Sequence, residues 1–212
     1  MAFGSQPVGT PVPLVVTVSN SGAAALTISS DAVTGIFNSN FSKGADACTG
    51  VTLQPNDTCT VTVIFTPTIG NVSTGSSNRV GTLAIVSNAS NALAFFNITG
   101  TAVQAVVGIS APSPSMNTGG TSVKNATITV SNTGGAVLNV TGVNVVKTAG
   151  PGSFTVNGGS CLPSASVPAG QSCTVAVSYD PTGSAASSTG HLVLTDTVAA
   201  ATTQSGSNFN AN

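Results

Sequence analysis

"CTVTVIFTP" runs from Cys59 to Pro67 and "CTVAVSYDP" from Cys173 to Pro181, and the fold follows from how these two stretches are read. In the first, Cys59, Val61, Val63 and Phe65 fall on one side of an extended chain while Thr60, Thr62, Ile64 and Thr66 fall on the other. In the second, Cys173, Val175, Val177 and Tyr179 form the same inward set. This period of two predicts strands with one face in a core.

Working outward, the duplication extends along the chain. "VTVSNSGAAALTI" (Val16 to Ile28) matches "ITVSNTGGAVLNV" (Ile128 to Val140), which puts Asn20 and Asn132 at equivalent positions and sets a period of 112 residues (132 − 20). "NFS" (Asn40 to Ser42) answers "SFT" (Ser153 to Thr155), Cys48 answers Cys161, and "GTLAI" (Gly81 to Ile85) answers "GHLVL" (Gly190 to Leu194). Landmarks kept in one order mark an internal repeat, with a first domain over residues 1–103 and a second over 104–212. "LVVTV" (Leu14 to Val18) and "NATITV" (Asn125 to Val130) alternate as the opening pair does, and Ser-Asn-Ser-Gly and Ser-Asn-Thr-Gly-Gly supply turns after them. No segment carries a helical apolar stripe. The expected fold class is all-β, two antiparallel β-sandwiches in tandem.

Composition narrows the function classes. Of the 212 residues, 41% are apolar and 4% charged, with no Glu and no Trp, so the chain folds and its surface is made of Ser, Thr, Asn and Gly. Such a neutral skin offers little colloidal repulsion and tolerates packing against copies of itself. Lys43, Arg79, Lys124 and Lys147 are scattered singly, and a net charge of −1 argues against a nucleic-acid partner. No apolar run reaches the roughly 20 residues of a membrane helix, and "MAFGSQPVGT" does not read as a signal peptide.

The four cysteines fall two per repeat, Cys48 with Cys59 and Cys161 with Cys173, 11 positions (59 − 48) and 12 positions (173 − 161) apart. One bridge inside each repeat is the economical reading, each tying a Gly/Pro loop to a sandwich edge in an oxidising compartment. Free thiols are the alternative; a zinc site lacks both a C-x-x-C motif and the histidines, since the chain has one.

"FGSQPVGT" (Phe3 to Thr10), "VSNSGAAALTI", "LQPNDTCTVTVIFTP" and "GTLAIVSNA" resemble the bacterial choice-of-anchor D repeat, a relative of the abnormal-spindle/hydin and major-sperm-protein domains. The likeness covers the first repeat nearly throughout; in the second, "MNTGGTS" replaces the opening motif and "PAGQSCTVAVSYDP" carries the signal. It implies an immunoglobulin-like sandwich serving as spacer, adhesive or assembly module in secreted and surface proteins, with no catalytic motif to transfer. "AVVGIS" (Ala105 to Ser110) reads as a first strand of the second repeat, whereas the first repeat has almost nothing before Phe3. A missing strand there implies an edge open to pairing with another copy, for which the tail "TTQSGSNFNAN" (Thr202 to Asn212) is the candidate donor.

The expected function is therefore a non-enzymatic structural protein of the bacterial surface or extracellular matrix, a self-assembling filament subunit whose partner is itself. The alternatives are an adhesive module recognising a glycan or protein, or spacer domains of a larger secreted protein. Cofactors and metals are not expected. His191, the one imidazole, points outward from its strand with no nucleophile elbow beside it. Asp31, Asp46, Asp57, Asp180 and Asp196 are spread singly. Acceptor sequons for N-linked sugar begin at Asn40, Asn56, Asn71, Asn88, Asn97, Asn125 and Asn139.

Overall fold

The computed structural model describes residues 1–68, 75–110, 122–162, 164–181 and 188–196, with the backbone of 203–205 and 209–211. The chain divides into two compact units, Met1–Val103 and Gln104–Asn212. Asn71, most of "MNTGGTS" and the remainder of the C-terminal tail lie outside the described residues.

Unit 1 contains β1 (Ala2–Pro7), β2 (Val12–Ser19), β3 (Leu26–Thr34), β4 (Phe41–Asp46), β5 (Thr52–Leu53), β6 (Thr58–Phe65), β7 (Ser76–Ser87) and β8 (Leu93–Val103). One sheet is ordered β2-β6-β4 and the other β1-β8-β7-β3-β5. The alternation of "CTVTVIF" becomes burial directly: Cys59, Val61, Val63 and Phe65 are buried and the residues between them are not. Phe65 stacks on Phe41 at 4.8 Å between centroids and meets Phe3 at 5.4 Å. Gly100 passes under that ring so closely that a Cβ there would lie 2.5 Å from it. Bulk on β6 is thus matched by its absence on β8, which lets the two sheets close.

Unit 2 contains β9 (Val107–Ile109), β10 (Lys124–Asn132), β11 (Leu138–Ala149), β12 (Ser153–Gly158), β13 (Ala165–Val167), β14 (Ser172–Asp180), β15 (Ser188–Asp196), β16 (Thr203–Ser205) and β17 (Phe209–Ala211). Its sheets run β9-β10-β14-β12 and β13-β11-β15-β16, with β17 also on β15. In chain order this is the first-second-fifth-fourth and third-sixth-seventh arrangement of a constant-type immunoglobulin sandwich, with β13 as an added edge. Tyr179 is fully buried against Phe154 at 4.9 Å, and its hydroxyl meets Ser188 Oγ at 2.9 Å. A buried phenol needs such a partner.

Each unit carries one disulfide, Cys48–Cys59 and Cys161–Cys173, both with Cα atoms 5.2 Å apart. By the chain-entropy account a loop of this length contributes about 3 kcal/mol. For a sandwich of about 100 residues that is a large share of net stability.

Two expectations need correction. The tail is not a free donor: β16 pairs antiparallel with Val193–Thr195 and β17 with Ser188–Gly190, so both described pieces complete the sheet of their own unit. The start of unit 1 is not empty either. Ala2–Pro7 form β1, but they join β8, and they run parallel to it, with Ser5 opposite Thr101 and Pro7 opposite Val103. A left-handed Gly4 (φ 67°) sits at the irregularity that permits this register. Every other strand pair among the described residues is antiparallel.

Candidate functional site: an open sheet edge

The equivalence of Asn20 and Asn132 has a structural cause. Both side chains are buried at the end of the second strand of their unit, and each ties three segments together. Asn20 Nδ2 donates to Ala24 O (2.8 Å) and Leu53 O (2.9 Å), and Gly22 N donates to Asn20 Oδ1 (3.0 Å). Asn132 Nδ2 donates to Ala136 O (2.7 Å) and Val167 O (2.9 Å), and Gly134 N donates to its Oδ1 (3.0 Å). The facing turn is also shared: Asn56 N donates to Asn20 O and Gly170 N to Asn132 O, each at 2.8 Å. Asn56 (φ 72°) and Gly170 (φ 75°) both hold the left-handed conformation that Asn and Gly tolerate.

The two units differ in one bond. In unit 2, Asn132 Oδ1 also accepts from Val106 N at 3.2 Å, because the chain leading into β9 runs beside it. β9 lies antiparallel on β10, with Ile109 opposite Val130, Gly108 opposite Ser131 and Val107 opposite Asn132. Thr133 N donates to Val106 O (2.8 Å) and Ser110 N to Thr129 O (2.9 Å). Ala105 is buried in the core, and Val107 and Ile109 pack against it.

In unit 1, β2 has β6 on one side and, among the described residues, no strand on the other. Asn20 directs its backbone at β6, so by alternation Val15, Thr17, Ser19 and Ser21 direct theirs at the open side. The core reflects the gap. Ile128 and Val130 of β10 are 1% and 0% exposed, whereas their equivalents Val16 and Val18 of β2 are only half-buried. Phe96, opposite fully buried Leu83 and hence on the core side of β8, remains 43% exposed. Between the sheets lies a cavity of about 410 Å³, its wall including Val18, Asn20, Ile28, Ile85, Ala94 and Phe96.

Charges that look scattered in the sequence are gathered in the same unit. Lys43 Nζ lies 2.8 Å from Asp31 Oδ1 and 2.8 Å from Asp46 Oδ2. The Asp31 contact is an ionic approach rather than an aligned hydrogen bond, and the other Asp31 oxygen accepts from Thr49 Oγ1 at 3.0 Å. The Lys43 ammonium holds the Asp46 carboxyl well below the usual carboxylate range, helped by the N–H groups of Cys48 and Thr49. The two carboxylates, Asp31 first, raise Lys43 in turn. Arg79 is buried: its Nε donates to Asn40 Oδ1 at 3.2 Å, and its guanidinium lies 5.1 Å from the Phe37 ring centroid. Asn40 is 4% exposed and its Nδ2 donates to Ser39 Oγ at 3.3 Å, so in the folded unit its amide nitrogen is not presented to a sugar. Asn56, Asn88, Asn97, Asn125 and Asn139 are exposed. His191 sits half-buried in β15 opposite Val146. Among the described residues no group of three or more His, Cys, Asp or Glu could hold a metal, and no helix is long and apolar enough to cross a membrane.

No protein-family model matches the chain, and no curated protein matches it significantly. Solved structures similar to it include the VesB protease of Vibrio cholerae, 22% identical over 49% of this chain and 30% of that one, with a TM-score of 0.34. The secreted serine protease VesC of Vibrio cholerae is 15% identical over 86% of this chain and 46% of its own, at 0.38. The C-terminal domain of the Streptococcus agalactiae AgI/II polypeptide BspA is 7% identical over 98% and 94%, at 0.42. The chain thus spans less than half the length of either protease. Likenesses of this size carry nothing about activity or partner.

Proposed function

We propose that the protein is a non-catalytic structural module of an extracellular or cell-surface assembly, joined to its neighbours through sheet edges and built up into filaments from copies of itself. The observation that carries this reading is a pair of disulfide-pinned sandwiches in a chain with 4% charged residues, which offers little charge repulsion between copies. Exposed sheet edges are places where a strand of a neighbouring molecule can add. Two disulfides fit an oxidising compartment, and a surface of Ser, Thr, Asn and Gly fits close packing of subunits. The resemblance of the first repeat to choice-of-anchor D repeats agrees with a secreted setting.

A second reading, adhesion to a protein or glycan, is favoured by Phe95 (63% exposed), Leu93 and Val86, which share the outer face of β7 and β8. Electron microscopy of unreduced material from the native source separates the two. Regular fibres at the cell exterior are expected; dispersed monomers at high concentration would overturn the assembly reading and leave adhesion.

A further inference from the structure

We infer that Asn97 is a site of N-linked glycosylation and that the first sugar attached there lies flat on the ring of Phe95. The inference rests on the extracellular or cell-surface setting of the reading above and not on filament formation. It gives the outer face of β7 and β8 an occupant that the chain itself carries. Asn97-Ile98-Thr99 is an Asn-x-Thr acceptor sequence in the middle of β8. Alternate side chains of a strand share a face, so Phe95, Asn97 and Thr99 stand together on the outside of β8 while Ile98 and Gly100 turn to the core. All three are exposed, Phe95 to 63%. Among the described residues no hydrogen bond holds the side chain of Asn97 or Thr99, so the amide nitrogen and the hydroxyl of the acceptor sequence are both presented.

The other acceptor sequences among the described residues lack this arrangement. Asn40 is buried. Asn88 is committed at both ends of its amide, accepting from Thr27 N at 2.9 Å and donating to Ala25 O at 3.3 Å. Asn56, Asn125 and Asn139 are exposed, but Gln54, Val123 and Val137 precede them by two residues where an aromatic ring precedes Asn97.

The surroundings leave room for a sugar. Phe95 lies opposite Ala84, which lies opposite Ala32, and Asn97 lies opposite Thr82, so short side chains border the ring. Side chains two positions apart on a strand are about 7 Å apart and lean along it, which brings a pyranose on Asn97 Nδ2 over the Phe95 ring. The C–H face of the sugar carries partial positive charge and meets the negative face of the phenyl ring, while its hydroxyls remain in water. Such a cover removes exposed apolar surface and adds hydration to a chain with 4% charged residues. Attachment takes a glycosyl diphosphate as donor. Asn97 Nδ2 bonds to sugar C1, the bond from C1 to the diphosphate oxygen breaks with its electron pair leaving on the diphosphate, and one amide proton passes to a base of the transferase. Nothing is oxidised or reduced.

The test takes the full chain from its native source and maps the Asn97 peptide by mass spectrometry. Sugar on most copies of Asn97 is expected, lost in Asn97→Gln and Thr99→Val and restored in Thr99→Ser. An inhibitor of polyprenyl-linked sugar assembly removes the modification if the donor is a polyprenyl diphosphate and leaves it if the donor is a nucleotide diphosphate. Stacking has its own readout. Against the same chain exported from a host without the transferase, the glycosylated chain should melt about 4 °C higher in unit 1, and glycosylated Phe95→Val less than about 1 °C higher than its bare form. Protons of the first sugar should be shifted upfield by the ring in the parent and not in Phe95→Val. Bare Asn97 in the native chain would overturn the inference, and so would equal melting shifts with and without the Phe95 ring. Fibres built from chains with bare Asn97 would overturn the inference alone; glycosylated chains that stay dispersed would remove the filament reading and keep the site.

Discussion

Replacing Asn132 with alanine tests whether the buried asparagines hold the sandwiches together. The variant removes four hydrogen bonds, to Ala136 O and Val167 O and from Gly134 N and Val106 N. At about 1 kcal/mol each, the loss is about 4 kcal/mol; Asn20→Ala removes three and costs about 3 kcal/mol. With an m-value of about 1.5 kcal/mol/M for a domain of this size in urea, the midpoints fall by roughly 2.5 M and 2 M. The assay separates the units without dissecting them. Tyr179 is the one tyrosine in a chain without tryptophan, and it is buried in unit 2, so its fluorescence reports that unit while far-ultraviolet circular dichroism reports both. Asn132→Ala should shift the tyrosine transition, and Asn20→Ala should leave it in place while shifting the remaining amplitude. A shift below about 0.5 M for Asn132→Ala would refute the reasoning, because the carbonyls and N–H groups left behind would then have found other partners. Equal movement of the tyrosine signal by Asn20→Ala would refute the assignment of each asparagine to its own unit.

Gly100→Ala should destabilise unit 1 by about 1–3 kcal/mol through overlap with the Phe65 ring, and Gly100→Ala combined with Phe65→Leu should recover part of that loss in the same urea titration. The Lys43–Asp46 pair gives unit 1 an acid dependence. Because the folded Asp46 carboxyl lies below its unfolded value of about 3.9, its contribution is present above that pH and is lost as the pH falls further. Urea midpoints between about pH 5 and pH 2 should therefore fall less steeply for Lys43→Gln than for the parent; an unchanged slope would show the pair to be thermodynamically silent.

The strands of both cores are legible from alternation because burial on one face imposes a period of two, and "CTVTVIF" and "CTVAVSY" declare their inward residues without knowledge of any partner. The disulfides follow from spacing within a repeat. Asn20 and Asn132 stand out as landmarks, but their role does not, since the carbonyl of Leu53 that Asn20 caps is 33 residues away. The same limit hides the contact of Lys43 with Asp31 and Asp46 and the burial of Arg79, where single charges in a polar sequence give no sign of meeting. The open edge is half legible. "AVVGIS" identifies a first strand in unit 2, yet "AFGSQP" has too little apolar alternation to reveal that it joins β8, or in which direction. The tail misleads for a related reason: with few apolar residues, its place on β15 comes from backbone pairing, which leaves no mark on composition.

The parallel register of β1 and β8 sets how unit 1 responds to tension. These are its first and last strands, and they run in the same direction, from Ala2 opposite Thr99 to Pro7 opposite Val103. A pull that draws the two ends of the unit apart lies along both strands, so the bonds between them, including Val8 N to Val103 O at 3.0 Å and Thr99 N to Met1 O at 2.9 Å, are sheared together instead of being peeled one by one. Rupture then requires several hydrogen bonds to fail in a single event, and the force needed is set by the whole row rather than by its weakest member. A hairpin-like antiparallel closure of the same length would open like a zipper under far smaller forces.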